Sequence, residues 1–335
     1  MHKTGILLIN LGTPDNCDTT SVRRYLKEFL SDPRVIDIPA PARWLLLNAI
    51  ILPFRPKKSA KAYQEIWSPT TGSPLLFHSE HLKTALASAL GAEYQVALGM
   101  RYGKPSIADA LAELKHCTRL VILPLFPQYS SAATGSALAK AFSLLSQQWN
   151  IPDIISVKDF YDDPGFIHAY AEVIQRSISE KKIDLLLFSY HGLPERHLHK
   201  SGCENVCPGA LPGEHIKHPD CYREQCMITS HLIAEKLKLT PKQYSVSFQS
   251  RLGRTPWIKP YTDEVFPQLI QKNIKNIAVV CPSFVADCLE TLEEIEIRGK
   301  AQWESLGGEG FIAIPCLNVT PVWVDALKNI IRMRM

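Results

Sequence analysis

The chain has 335 residues, of which 46% are hydrophobic and 21% are charged, and its formal net charge is +4. This composition is typical of a soluble globular protein with room for two domains, and so weak a positive charge does not support nucleic-acid binding. No apolar run approaches the roughly 18–20 residues that span a bilayer. Because the first residues already resemble a strand, leaving no room for a signal peptide, we expect a cytoplasmic protein.

Strand and helix patterns alternate along the first half of the chain. Short apolar runs predict strands at residues 5–10, 94–100 and 120–126. Apolar residues at helical spacing predict a helix that begins at Thr20 or Ser21, and further helices at residues 82–90 and 107–115. Repeated βα units imply right-handed crossovers, so we expect a parallel sheet.

The second half repeats this scheme. Strands are predicted at residues 154–157, 183–190, 244–248, 277–281 and 311–314, and a closing helix at 320–332 with Pro321 in its first turn. The pattern therefore predicts an α/β protein with domains at residues 1–130 and 131–315, and a C-terminal helix within 316–335 that packs back on them. No glycine-rich nucleotide-binding motif is present, which weakens the dehydrogenase and nucleotide-hydrolase interpretations.

One histidine stands where chemistry is expected. The apolar run at residues 183–188 leads directly into Ser189, Tyr190, His191 and Gly192. Open α/β sheets bind ligands beyond the carboxyl ends of their strands, so His191 is a candidate catalytic residue. By position alone, a structural histidine fits equally well.

Three carboxylates follow the strand at residues 277–281. On a helix, Asp287, Glu290 and Glu294 occupy positions i, i+3 and i+7 and share one stripe. Crowded carboxylates have raised pKa values and suit proton transfer or the attraction of a divalent cation. A solvated acidic face and a plain metal site with His191 are the alternatives.

Four of the nine cysteines are close together in the sequence. Cys203, Cys207, Cys221 and Cys226 have the spacing C-x3-C-x13-C-x4-C within a segment, residues 201–227, that is rich in Pro and Gly. Four thiolates in a short loop indicate a metal site, and the set alone does not choose between zinc and an iron–sulfur cluster.

Several motifs resemble those of ferrochelatases, the enzymes that insert Fe²⁺ into a porphyrin. The two signature stretches are Ser189 to Pro194 and Asp287 to Glu294. Further matches cover nearly the whole chain, at residues 8–14, 100–102, 127–130, 134–136, 249–253, 256–257 and 316–318.

The resemblance implies two Rossmann-like, chelatase-type domains, each a parallel sheet flanked by helices, with a porphyrin cleft between them. It makes His191 the essential histidine at the macrocycle, accepting pyrrole protons or meeting the metal. Glu290 is its acidic partner at the substrate Fe²⁺, and Asp287 and Glu294 continue a polar path to solvent. The implied reaction is the last step of heme biosynthesis, in which protoporphyrin IX takes up Fe²⁺ and releases two protons.

The resemblance also implies porphyrin contacts. Leu11, Tyr102, Trp257 and Phe284 match apolar positions of the wall that binds the macrocycle, and Arg101 precedes Tyr102 in a matching motif. Positions that match the propionate-binding lip are Arg55, Lys58, Tyr63 and Ser73. Ordinary core or helix-start roles are the alternative for each. The apolar stretch at residues 44–54 matches the lip region, where peripheral contact with the inner face of the membrane is plausible for an insoluble substrate.

Two features refine the expectation. Coproporphyrin-using relatives commonly carry Tyr where this chain has Leu11, so we expect protoporphyrin IX as substrate. The internal cysteines resemble those of bacterial ferrochelatases that hold a [2Fe–2S] cluster, with zinc as the alternative metal.

Alternative functions are a coproporphyrin ferrochelatase, a chelatase for another tetrapyrrole, and a non-enzymatic haem carrier whose fold is held together by the four cysteines. Nucleic acid is not expected as a partner, and the oligomeric state is not predicted.

Overall fold

The computed structural model describes residues 3–203, 220–253 and 255–335. The chain divides into two compact units. Unit 1 comprises Met1–Phe126, Ser130–Asp159 and Leu327–Met335, and unit 2 comprises Pro127–Tyr129 and Phe160–Ala326. Within the described ranges, no helix has the length and apolar character needed to cross a bilayer.

Unit 1 is built on a sheet of four parallel strands in the order β2-β1-β3-β4. The strands are β1 Thr4–Gly12, β2 Tyr94–Tyr102, β3 Arg119–Pro124 and β4 Asp153–Ser156. Residues 6–9 of β1 are fully buried, which explains why this central strand is a continuous apolar run rather than an alternating one.

Helices and π-helical turns connect these strands. In chain order they are α1 Thr19–Ser31, α2 Ala40–Leu45, the π-helical turn π1 Leu46–Ile51, α3 Leu52–Ile66, α4 Pro74–Leu90, α5 Ile107–Glu113, π2 Ser131–Gly135 and α6 Ser136–Leu145. Helix α1 begins at Thr19 because the Asp18 carboxylate accepts hydrogen bonds from the amides of Thr20 and Ser21. Helix α4 is longer than predicted, since Pro74 starts it eight residues before residue 82.

Unit 2 repeats the strand order with four parallel strands arranged β6-β5-β7-β8. The strands are β5 Leu185–His191, β6 Tyr244–Gln249, β7 Asn276–Val280 and β8 Gly310–Ala313. The helical elements are α7 Pro164–Ile178, α8 Glu195–Lys200, α9 Tyr222–Lys236, α10 Thr262–Gln271, α11 Leu289–Thr291, π3 Leu292–Gly299, α12 Lys300–Ser305 and the first part of α13 Pro321–Arg334, whose residues from Leu327 belong to unit 1. The predicted α/β fold with two parallel sheets is confirmed.

The first sheet includes a strand that the sequence pattern assigned to the second half. Residues 153–156 pair with β3, so β4 belongs to unit 1, and this division differs from the predicted boundary at residue 130. Hydrogen-bond partners of a strand are chosen by nonlocal packing, which a local apolar pattern does not encode.

The order of the second sheet creates a favoured ligand position in unit 2. From β5 the chain goes first to β6 on one side and then to β7 on the other. The direction therefore reverses across β5, and the crevice beyond the carboxyl ends of β5 and β7 is a topological switch point of the kind that binds ligands in open α/β sheets. His191 is the last residue of β5.

Candidate active site

The ring of His191 has a defined tautomer. Its Nδ1 lies 2.6 Å from the carbonyl oxygen of Gly192. Because a carbonyl only accepts, Nδ1 must carry the proton of the neutral imidazole, which leaves the lone pair on Nε2. The side chain is partly exposed, so this lone pair can meet a substrate.

Gly192 holds this turn in place through close contact with the neighbouring strand. Its amide donates to the carbonyl of Gln249 at 2.8 Å. A Cβ at residue 192 would lie 2.7 Å from that carbonyl oxygen and 3.2 Å from the ring of Trp257. Only glycine fits here without a shift of the backbone, so the residue that follows the histidine is set by packing.

The backbone of His191 is held from two other elements. Its amide donates to the Ser283 hydroxyl, at 3.3 Å, in the loop after β7. Its carbonyl accepts from the Tyr222 hydroxyl of α9 at 2.8 Å, and the Tyr222 and Ser283 oxygens are 3.0 Å apart. The ring of Phe284 lies 6.2 Å from the imidazole, centroid to centroid. These contacts fix the end of β5 against the loop that carries the carboxylates.

The prediction that Asp287, Glu290 and Glu294 share one stripe of a helix is wrong for Asp287. The helix begins at Leu289, with Cys288 as its N-cap, because the Thr291 hydroxyl accepts from the Cys288 amide at 3.0 Å. Asp287 therefore precedes the helix. Its carboxylate accepts from the Thr291 hydroxyl, the Cys316 amide and, at 2.6 Å, the Asn318 side-chain amide. These donors make the buried Asp287 an organiser of the loop.

Glu290 and Glu294 remain together. Glu290 lies in α11, and Glu294 follows it by about one turn in the π-helix π3, which begins after Thr291. Burial raises the pKa of Glu294 and the neighbouring Glu290 adds to the rise, whereas the hydrogen bond from Ser250 and the neighbouring His191 and Arg298 lower it. His191 and Glu290 therefore both interact with Glu294.

Two residues at the end of β6 position these glutamates. The Ser250 amide and hydroxyl donate to the two carboxylate oxygens of Glu294 at 2.9 and 2.6 Å, and Ser250 has a left-handed backbone, with φ of 67°. The Gln249 side-chain amide donates to the Glu290 carbonyl at 2.9 Å and accepts from the Ser189 hydroxyl at 2.7 Å. Residues of β5, β6 and α11 are therefore joined in one polar network.

The carboxylate of Glu293 has a different environment. It forms an ion pair with Arg298 at 3.0 Å, and the Arg298 side chain is 63% exposed. Of the two neighbouring glutamates of π3, Glu293 is ion-paired with Arg298, whereas Glu294 accepts from Ser250 and interacts with His191.

The predicted porphyrin-binding residues of unit 1 include three at the ends of two adjacent strands. Leu11 lies near the end of β1, and Arg101 and Tyr102 end β2, whose register pairs Gly12 with Tyr102. The buried Asp32 accepts from the Arg101 guanidinium at 2.6 Å and from the Tyr102 hydroxyl at 2.9 Å. Burial is the main cause that raises the pKa of Tyr102, so the phenol stays protonated as a donor.

The predicted lip residues lie in α3 and at the start of α4. Arg55, Lys58 and Tyr63 belong to α3, and Ser73 is the N-cap residue of α4. Tyr63 and Ser73 are buried, and Lys58 is exposed. The preceding stretch exposes large apolar side chains on α2, π1 and α3, namely Trp44, Leu45, Ile50 and Phe54, at 65%, 58%, 59% and 76%.

The remaining predicted contacts belong to unit 2. Trp257 is partly buried against Gly192, and its indole nitrogen donates to the Leu252 carbonyl at 2.9 Å. Phe284 is partly buried beside His191. Both aromatic side chains therefore lie next to the histidine turn.

The predicted cysteine site is described in part. Cys203, Cys221 and Cys226 are buried and Cys221 is the N-cap residue of α9, whereas Cys207 lies outside the described residues. Burial is the main cause that raises the pKa of Cys226, and the neighbouring Cys221 raises it further. Among described residues, no set of three His, Cys, Asp or Glu side chains forms a metal site. Buried, mutually interacting thiols are suitable soft ligands for a metal that a fourth cysteine completes.

Several positioning residues were missed by the sequence analysis. Gln249 and Ser250 lie in a motif that it noted without a role, and Asp32 and Ser283 carried no signal. Tyr222 stands between Cys221 and Cys226 in the sequence, and no pattern there indicated a role for it. Such residues act through contacts with distant parts of the chain, which local patterns do not reveal.

Comparisons with known proteins identify the family of this chain. The ferrochelatase family model matches residues 3–335. A ferrochelatase of Legionella pneumophila (strain Lens) is 58% identical over 329 residues, 98% of each chain. A ferrochelatase of Coxiella burnetii (strain CbuK_Q154) is 51% identical over 338 residues, 98% of this chain and 93% of that protein.

Solved structures support the fold. SirB from Bacillus subtilis with Fe³⁺ matches with a TM-score of 0.55 at 14% identity, covering 99% of this chain and 95% of that one. CbiX, the terminal enzyme for biosynthesis of siroheme in denitrifying bacteria, matches with a TM-score of 0.51 at 12% identity, covering 99% of both chains. With a family match over nearly its whole length and relatives above 50% identity, the chain belongs to the ferrochelatase family, the metal chelatases of heme biosynthesis.

Proposed function

We propose that this ferrochelatase inserts Fe²⁺ into protoporphyrin IX through His191 and Glu290. The observation that carries the proposal is the His191 imidazole, which ends β5 at the switch point of the second sheet, has its Nδ1 at hydrogen-bond distance from the Gly192 carbonyl, and interacts with Glu294. A neutral imidazole can take a proton, and nearby carboxylates can accept it or attract the cation.

The charge balance of the reaction explains this layout. Two pyrrole protons leave as Fe²⁺ enters, so the exchange needs both a proton acceptor and an anionic partner for the metal. We assign proton removal to His191 and the metal-facing role to Glu290. Glu294, whose pKa burial raises, holds a proton to higher pH than an exposed glutamate and so serves as the next proton carrier. Asp287 has its carboxylate occupied by three donors and supports the loop.

Substrate choice follows from the wall residues. In unit 1, Leu11 is partly buried and offers apolar surface, and Arg55 and Lys58 offer donors to propionates. Tyr102, Tyr63 and Ser73 are buried, and Arg101 is paired with Asp32. In unit 2, the partly buried Trp257 and Phe284 offer apolar surface to a macrocycle. Leu11 in place of Tyr favours protoporphyrin IX over coproporphyrin. Porphyrin absorption is measured during anaerobic incubation with Fe²⁺ and either porphyrin. We expect a higher kcat/KM with protoporphyrin IX, and a preference for coproporphyrin would overturn the substrate assignment.

Replacing Glu290 with Gln is expected to lower kcat at least about 100-fold, the usual scale of a lost acid–base or charged group in a site. The matched control is Glu293→Gln in the π-helix π3 that follows directly, which loses the ion pair with the exposed Arg298 side chain, worth about 0–1 kcal/mol. Steady-state assays of both variants measure the difference. Equal losses would show that the acidic segment acts as one solvated face.

We further propose that Cys203, Cys207, Cys221 and Cys226 hold a [2Fe–2S] cluster. The burial of the three described cysteines and the interaction of Cys221 with Cys226 support a shared soft-metal site. Such a cluster supplies thiolate-bound iron that can stabilise the surrounding segment. Zinc is the alternative occupant of the same ligands.

We also propose that the enzyme works in the cytoplasm and touches the membrane through the exposed apolar side chains of α2, π1 and α3. Phe54→Asp is expected to weaken binding to phosphatidylglycerol vesicles about tenfold or more, since burying a Phe side chain is worth about 1.5–3 kcal/mol. The control is Trp149→Asp, because Trp149 is 98% exposed and lies outside these elements. Vesicle co-sedimentation measures both, and equal binding of the two variants would contradict the proposal.

A further inference from the structure

Gln249 is hydrogen-bonded to both members of the proposed catalytic pair or to their direct neighbours. It is the last residue of β6 and is 3% exposed. Its main-chain carbonyl accepts from the amide of Gly192, the residue after His191, at 2.8 Å. Its side-chain amide nitrogen, Nε2, donates to the main-chain carbonyl of Glu290 at 2.9 Å. One buried residue therefore contacts the turn that carries the histidine and the short helix that carries the glutamate.

The orientation of the Gln249 amide group is fixed by its other neighbours. Its oxygen, Oε1, accepts from the Ser189 hydroxyl of β5 at 2.7 Å and from the thiol of Cys281, directly after β7, at 3.5 Å. The Glu290 carbonyl can only accept, so Nε2 must face it. A rotated amide would place Oε1 against the Glu290 carbonyl oxygen, and no proton would lie between these two acceptors. The donor is therefore held toward Glu290 by residues of two other strands.

The main chain of Gln249 is fixed relative to His191. The parallel ladder between β5 and β6 pairs His191 with Gln249, and the hydrogen bond from Gly192 continues this pairing beyond the end of β5. Because the main chain is fixed, the length of the Gln249 side chain decides where its amide meets Glu290. Removing one methylene group would shorten this reach by about 1.5 Å, and a displacement of about 1 Å in a catalytic site can lower the rate about 100-fold.

We propose that Gln249 is a positioning residue that sets the separation between His191 and Glu290. The proposal rests on the catalytic pair proposed above. The main chain of Gln249 fixes the turn of His191, and its side chain fixes the backbone of Glu290. The glutamine side chain thus acts on the reaction through Glu290, whose carboxylate faces the metal.

The test is the Gln249→Met variant, which keeps the length of the side chain and removes its amide. We expect kcat for iron insertion to fall about tenfold or more, because Glu290 is displaced, and KM for the porphyrin to change less than about twofold, because the apolar wall is unaltered. Steady-state porphyrin absorption measures both constants, and thermal melts measure stability.

The matched control is Thr262→Val, which removes another buried polar group of the same unit. The Thr262 side chain is 5% exposed at the residue level, and its hydroxyl lies 2.9 Å from the hydroxyl oxygens of both Ser189 and Ser247. We expect this variant to melt at a lower temperature and to keep its kcat. A loss of kcat in both variants that follows the loss of stability would show a merely structural role for Gln249 and would overturn the proposal.

A double-mutant cycle tests the route through Glu290. Gln249→Met added to Glu290→Gln is expected to change kcat less than about twofold, because the carboxylate that Gln249 positions is already absent. A further loss of tenfold or more in that background would overturn the positioning role alone. A Glu290→Gln variant with full activity would overturn both the catalytic pair and the positioning role.

Discussion

Replacing His191 with Ala is expected to lower kcat for iron insertion at least about 100-fold, because the variant loses the Nε2 lone pair that accepts a pyrrole proton. The fold should persist, since His191 is partly exposed at the end of β5 and its backbone hydrogen bonds do not need the ring. Porphyrin affinity should also persist, because the apolar wall is unchanged. Single-turnover absorption measures insertion, and fluorescence quenching measures porphyrin binding.

The matched control for this change is His168→Ala, which removes an exposed histidine on α7. It should leave both measurements unchanged. If the His191 variant inserts iron at a near-normal rate, His191 has no part in proton removal, and the assignment of the site to the end of β5 fails.

Replacing any one of the four cysteines with Ser is expected to remove the bound metal and to lower both thermal stability and activity. Metal binding contributes to the stability of the state that binds it, and Cys221 and Cys226 lie in or beside α9, whose Tyr222 contacts His191. For anaerobically purified wild-type protein we expect colour, with iron and sulfide at about two each per chain, as a [2Fe–2S] centre requires. Metal analysis and thermal melts of the four variants measure the effect.

The control for the cysteine series is Cys17→Ser. Cys17 is partly exposed, whereas Cys117 is buried in the apolar core of unit 1, so Ser at residue 117 would destabilise by burying a hydroxyl. The Cys17 variant should keep both colour and stability. Colourless protein with about one zinc per chain would overturn the cluster and keep the four-cysteine site, and protein without metal would overturn the site.

Local chemistry was sufficient to predict both parallel sheets and the polar turn at the end of β5. The apolar run of β5 predicts a buried parallel strand, and the polar residues directly after it predict His191 at a ligand-binding edge. The prediction succeeds because burial on both faces requires a continuous apolar run, whose end is visible in the sequence.

Nonlocal contacts decided the remaining features. β4 belongs to unit 1 because it pairs with β3. Asp287 lies outside the predicted helix because the helix begins after the N-cap residue Cys288, whose amide donates to the Thr291 hydroxyl, and because Asn318 donates to the Asp287 carboxylate. The sequence by itself determined the α/β class and the family motifs, and it was sufficient to nominate His191 and Glu290 as candidate catalytic residues. Only the tertiary structure placed Tyr222 against the His191 carbonyl, since hydrogen bonds across 31 residues depend on how strands and helices pack and leave no periodic trace in the chain.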